Sequence, residues 1–84
     1  MKIIFSTQAW IDYLHWQKTE KKTLKRINLL FKDIQRTPFE GLGKPEQLKH
    51  QLSGFWSRRI DQEHRIVYKA EKNELQIACL RHHY

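Results

Sequence analysis

The chain of 84 residues ends in Arg81, His82, His83 and Tyr84: a guanidinium, two imidazoles and a phenol. Just before them Leu75, Ile77 and Cys79 alternate with Gln76, Ala78 and Leu80, as in a strand. A tail carried out of a core strand can hold its side chains in place, and histidine exchanges protons near neutral pH. The bland alternative is a solvated terminus with a coincidental histidine pair. Earlier in the chain stand a carboxylate, Glu46, and three cations, Lys49, Arg59 and Arg65. If these converge with His83 on one face, they form the set that metal-free RNA cleavage requires. A base takes the proton of the ribose 2′-hydroxyl, an acid protonates the leaving 5′-oxygen, and cations stabilise the phosphorane.

Other chemistries find little support. There is one cysteine and no HxxxH, and the histidines are spread over positions 15, 50, 64, 82 and 83, so spacing gives no metal signature. Neither a Gly-rich phosphate loop nor a GxSxG nucleophile motif occurs. His15, His50 and His64 are read as ordinary, Cys79 as a buried small hydrophobe, and Trp56 as a packing residue.

The elements that must position these groups follow from pattern. Lys2 to Ser6 suits a first strand, and Ser6 or Thr7 can cap a helix. In that helix Trp10, Tyr13, Leu14 and Gln17 fall on one stripe, with Trp16 off it. After a turn at TEKK, Leu24, Ile27, Leu30, Phe31 and Ile34 mark a second helix that Pro38 ends. A loop from Pro38 to Pro45 leads to a short strand predicted over Leu48–Leu52, broken by Gly54. Strands over Phe55–Ile60, His64–Ala70 and Glu74 to about His82 complete a meander, with turns at 61–63 and 71–73. The expected fold is α+β: an N-terminal strand and a two-helix hairpin packed on one face of a twisted, mainly antiparallel sheet. Alternation puts Ile66, Tyr68 and Ala70 toward the helices and Arg65, Val67 and Lys69 on the other face. Arg58 and Arg59 point to opposite sides, so only one can join Arg65, and parity alone does not say which.

Composition bounds the setting. The length suits a single domain over 1–84, and 39% apolar with 30% charged residues marks a globular chain. One cysteine excludes an internal disulfide, no run of 18 apolar residues exists, and the N-terminus turns polar after Ile3, Ile4 and Phe5, so a cytoplasmic protein without a signal peptide is expected. The net charge of +7 implies an acidic partner: nucleic acid, an anionic membrane or an acidic protein.

The run GKPEQLKHQLSGFWSRRIDQEHRIVY, followed by CLRHHY, resembles the YoeB/Txe toxins of bacterial type II toxin–antitoxin systems, in the RelE superfamily of ribosome-dependent mRNA endoribonucleases. The resemblance extends over the whole chain. It implies a fold like that of microbial ribonucleases and mRNA cleavage in the ribosomal A site. It also implies the ribosome, mRNA and a YefM-type antitoxin as partners, allows a homodimer, and calls for no membrane, cofactor or metal. Residue by residue, Glu46 matches the family's general base, His83 its general acid and Arg65 the arginine that stabilises the transition state. Lys49 and Arg59 match phosphate contacts, and Tyr84 the terminal aromatic that places the substrate. One departure is His82, where an aromatic is expected. Alternation sets it on the other side of the strand from His83, as a packing substitution. The competing class is a non-catalytic basic module that binds RNA or an antitoxin. Such a binder needs no carboxylate among its cations, since Glu46 would repel phosphate.

Overall fold

A computed structural model describes residues 1–82. The elements are β1 (Lys2–Phe5), α1 (Thr7–Thr19), α2 (Lys21–Arg36), β2 (Glu46–Gln47), a 3₁₀ turn (His50–Leu52), β3 (Trp56–Arg59), β4 (Arg65–Glu71) and β5 (Glu74–Cys79). They form one sheet in the order β1-β5-β4-β3-β2. β1 runs parallel to β5 and every other pairing is antiparallel. The helical hairpin carries the chain from β1 to β2 at the opposite edge of the sheet, and the meander then returns to place β5 beside β1. The expected α+β architecture is therefore observed, with the sheet mixed at one end. Among the described residues no helix is long and apolar enough to cross a membrane.

Local chemistry explains the boundaries. Ser6 caps α1: its hydroxyl accepts from Ala9 N at 3.0 Å and donates to Ala78 O at 2.7 Å. α2 buries Ile27, Leu30, Phe31 and Ile34, as its period requires, and stops at Thr37, ahead of Pro38. These side chains meet Ile66, Tyr68, Leu75, Ile77 and Leu80 in the core. The β4–β5 hairpin turns on Lys72 and Asn73, both left-handed (φ 50° and 61°), the conformation that two-residue hairpin loops favour.

Three expectations are corrected. α1 does not bury the stripe through Trp10, Leu14 and Gln17; its buried residues are Ala9, Asp12 and Trp16, with Trp10 and Leu14 exposed. The inward face carries a carboxylate, which a search for apolar residues passes over. Asp12 Oδ2 accepts from Leu80 N at 2.9 Å, and Trp16 Nε1 donates to Leu80 O at 2.9 Å. That grip also explains the second correction. β5 ends at Cys79, not near His82, because α1 side chains occupy the backbone of Leu80. Third, Leu48–Leu52 is not a strand. Glu46 and Gln47 pair with Ser57 and Trp56, after which His50, left-handed at φ 59°, turns the chain into a 3₁₀ turn.

Arg58 decides how the loop before β2 is held. It lies opposite Ile66 on the helix side of β3 and is fully buried. Its guanidinium donates to Asp33 Oδ2 (2.6 Å), to the carbonyls of Leu42 (3.1 Å), Glu40 (2.8 Å) and Thr37, and to Tyr68 Oη (3.2 Å). Tyr68 in turn donates to Pro38 O at 2.6 Å. One buried cation thus gathers the loop's carbonyls, which would otherwise lack partners. Gly41, at φ +123°, completes the fit, because a Cβ there would collide with Asp33 Oδ2.

The hydrogen bond from Leu42 N and the one from Arg58 hold the Asp33 carboxyl below its ordinary value. A depressed folded-state value means this stability is whole above the unfolded carboxylate range, about pH 4, and is lost as pH falls through the folded value. The melting temperature of the intact chain is expected to drop as pH falls below about 4. In Asp33→Asn it should start lower and drop less. Equal slopes in the two melting series would remove Asp33 as the source. Burial pushes the Tyr68 phenol up, so it stays a neutral donor across this range.

Candidate active site

On the sheet face away from the helices the register places β2, β3 and β4 side chains together. Glu46 lies opposite Ser57, Ser57 opposite Val67, and Arg59 directly opposite Arg65. Cross-strand partners project to the same side. The choice that parity leaves open is therefore made by register: Arg59 joins Arg65 and Arg58 goes to the core.

A carboxylate and a hydroxyl meet at Arg65. Its Nη1 stands 3.5 Å from Glu46 Oε1 and donates to Ser57 Oγ at 3.3 Å. The Arg65 side chain is 25% exposed and Glu46 62%, so a charged ligand has access to both. An ion pair this exposed adds little stability. Two arginines facing each other across a strand pair repel, and such pairings are destabilising without an anion between them. The arrangement has the character of a phosphate seat with a carboxylate at its margin. That carboxylate can take a proton from a hydroxyl next to the seated phosphate.

The remaining predicted residues fall differently. Lys49 is exposed and precedes the 3₁₀ turn, beyond the end of β2 rather than in the ladder. His83 and Tyr84 lie outside the described residues. His82 stands on the side of His64 and Trp16, near Glu63, and is exposed rather than packed into the core. Cys79 is buried, and Trp56 packs against Phe39 at a ring separation of 4.8 Å. Ser57 is a site residue that type and motif do not single out. Its alternation with Arg59 is a usable signal, but only the β3–β4 register brings its hydroxyl to Arg65.

Residues 5–84 match the family described as the YoeB-like toxin of bacterial type II toxin–antitoxin systems. The chain is 61% identical over 84 residues to Toxin YoeB of Escherichia coli (strain K12), covering 100% of both sequences. It is also similar to the toxin in the heterotetrameric YoeB–YefM complex from Staphylococcus aureus, with a TM-score of 0.93 and 48% identity over 100% of this chain and 98% of that one. The YoeB dimer from Staphylococcus aureus matches equally, at TM-score 0.93 and 48% identity over 100% and 98% of the two chains.

Proposed function

The chain belongs to the YoeB-like toxins of bacterial type II toxin–antitoxin systems, in the RelE superfamily, and from that premise we propose that it is a ribosome-dependent, metal-independent mRNA endoribonuclease. Glu46 is the general base that removes the ribose 2′-hydroxyl proton. The 2′-oxygen attacks the adjacent phosphorus, and Arg65, with Arg59 and Lys49, stabilises the charge on the phosphorane. His83 gives a proton to the departing 5′-oxygen, which leaves a 2′,3′-cyclic phosphate. Tyr84 places the substrate. The observation that carries this reading is the Glu46–Arg65 contact at 3.5 Å beside the facing Arg59. A phosphate binder gains nothing from a carboxylate there, whereas a nuclease needs one.

The ribosome supplies what 84 residues do not: it holds the message in the A site and so reduces the entropy of bringing phosphate and base together. The net charge of +7 favours association with ribosomal RNA and mRNA in the cytoplasm, with binding that weakens steeply as salt rises. The same charge favours an acidic segment of a YefM-type antitoxin that orders on binding. By analogy with the Staphylococcus aureus assemblies, this chain pairs with such an antitoxin and forms a homodimer.

The test is cleavage of an mRNA positioned on purified ribosomes. Magnesium is kept for the ribosome, and a chelator selective for transition metals is added. The intact chain is expected to cut only when ribosomes are present, leaving a cyclic or 3′-phosphate end. His83→Gln should cut about 10²–10⁴-fold more slowly, the range a positioned acid contributes. Ribosome binding without cleavage by the intact chain would replace this reading with a non-catalytic RNA-binding module.

A further inference from the structure

The turn between β3 and β4 and the end of the chain bring a second polar cluster together, on the side of the sheet that faces α1. His64 Nδ1 and His82 Nδ1 stand 3.3 Å apart. Glu63 reaches both rings, with Oε2 3.7 Å from His82 Nδ1 and Oε1 3.7 Å from His64 Nε2. Taking one ligand atom from each residue, all three lie within 4.8 Å of one another. We propose that Glu63, His64 and His82 form a site for a zinc-class divalent ion, with a fourth position left to water.

The separation of the two imidazole nitrogens suits that ion, and the exposed Glu63 has to move in to complete the set. Two nitrogens bound at about 2.0–2.1 Å to a tetrahedral zinc stand roughly 3.3 Å apart, which is the separation found between the two Nδ1 atoms. Two imidazoles and one carboxylate form a donor set that zinc, copper and nickel accept and that the harder magnesium and calcium do not favour. The two Nδ1 atoms lie within hydrogen-bonding distance of each other. Without an ion, one must carry a proton and the other must not; with an ion, both lone pairs face a single positive charge. Binding at both Nδ1 atoms therefore requires that any N–H of either ring sit on Nε2.

The cluster is also built rather than accidental. His64 is 8% exposed and stands edge-on to Trp16 at a ring separation of 4.8 Å. Its backbone N donates to Asp61 Oδ1 at 2.7 Å, and its carbonyl accepts from Ile60 N at 2.9 Å, which fixes the turn. Trp16 holds Leu80 O, and the Arg81 guanidinium lies 5.8 Å over the same indole. A single tryptophan thus supports both halves of the site, and only Glu63 and His82, both exposed, have to adjust. The ion acts as a clasp between the 61–64 turn and the terminal segment. The binding stands or falls without the ribonuclease reading.

The experiment uses the full, untagged chain, freed of metal and titrated with Co²⁺ in place of zinc. Visible absorption of four-coordinate cobalt should rise to one equivalent and be discharged by Zn²⁺. His82→Gln and Glu63→Gln should each weaken Zn²⁺ binding by about 10–100-fold, at least the loss produced by removing an outer partner of a metal site. Metal-free melting curves of these two variants should match that of the intact chain, since both side chains are exposed. His83→Gln should bind metal as the intact chain does. Absence of one-equivalent binding, binding unchanged in both ligand variants, or loss through His83→Gln alone would each overturn the proposal.

Discussion

Replacing Glu46 by Gln is expected to slow cleavage of ribosome-bound mRNA by about 10²–10⁴-fold, the contribution of one positioned proton acceptor. The amide keeps the shape of the carboxylate and leaves Arg59 and Arg65 facing each other, so on the proposed mechanism the substitution removes the base and spares the cations. Arg65→Ala should bring a loss of similar order, because charge stabilisation aimed at a developing anion is costly to remove. Ribosome affinity should change little in either variant. The double variant should lose less than the product of the single effects, since the two groups stand 3.5 Å apart and, on the proposed mechanism, act on one phosphate. The measurement is a single-turnover rate at saturating ribosome, with binding measured in parallel. If rate and affinity fell together by the same factor, these residues would be positioning the protein on its target rather than doing chemistry.

The largest expected loss of stability comes from Arg58→Met. It leaves the Asp33 carboxylate and the carbonyls of Thr37, Glu40 and Leu42 without their shared donor. Removing one member of a buried charge pair costs about 3–5 kcal/mol, against a total of about 5–15 kcal/mol for a domain. Arg58→Lys should recover little, because a single ammonium cannot serve acceptors that a planar fork reaches from several directions. Adding Asp33→Asn to Arg58→Met should restore part of the loss by removing the stranded charge. Urea midpoints at unchanged slope report these differences. A shift of under about 1 kcal/mol for Arg58→Met, the scale of an exposed ion pair, would mean the loop is held by other contacts.

Comparing these two arginines shows how much of the molecule is legible in its sequence. Arg58 and Arg59 are sequence neighbours with identical side chains, and alternation correctly sends them to opposite faces. Which face belongs to which depends on register, and register is set by partners farther along the chain: Ile66 for one, Arg65 for the other. α2 can be read because its buried positions are all apolar. α1 cannot, since its inward face holds Asp12, whose role is to satisfy a backbone N–H 68 positions away. The same limit applies to the site. Glu46, Arg59 and Arg65 are recognisable by type and resemblance, and the ladder brings them together. Ser57 shares its face with Arg59 by alternation, but only register brings it to Arg65, and the Glu63–His64–His82 cluster follows no spacing rule. Strand alternation assigns His82 to packing, yet β5 has already ended at Cys79 and that alternation no longer applies.

The position of β5 also bears on how the protein is made. It is the last strand in the chain, yet it lies between β1 and β4, and its neighbour Leu80 is gripped by α1. The first strand has no place in the sheet until residues 74–77 exist, and the inward face of α1 has no backbone to grip until residue 80 does. Such long-range pairing has to wait for its distant half. The sheet and the inward face of α1 therefore cannot be completed before residues 74–80 have been made. A chain that stops short of Glu74 lacks β5 and the core that depends on it. A partly translated copy therefore carries neither the complete sheet nor the face on which Glu46 and Arg65 meet.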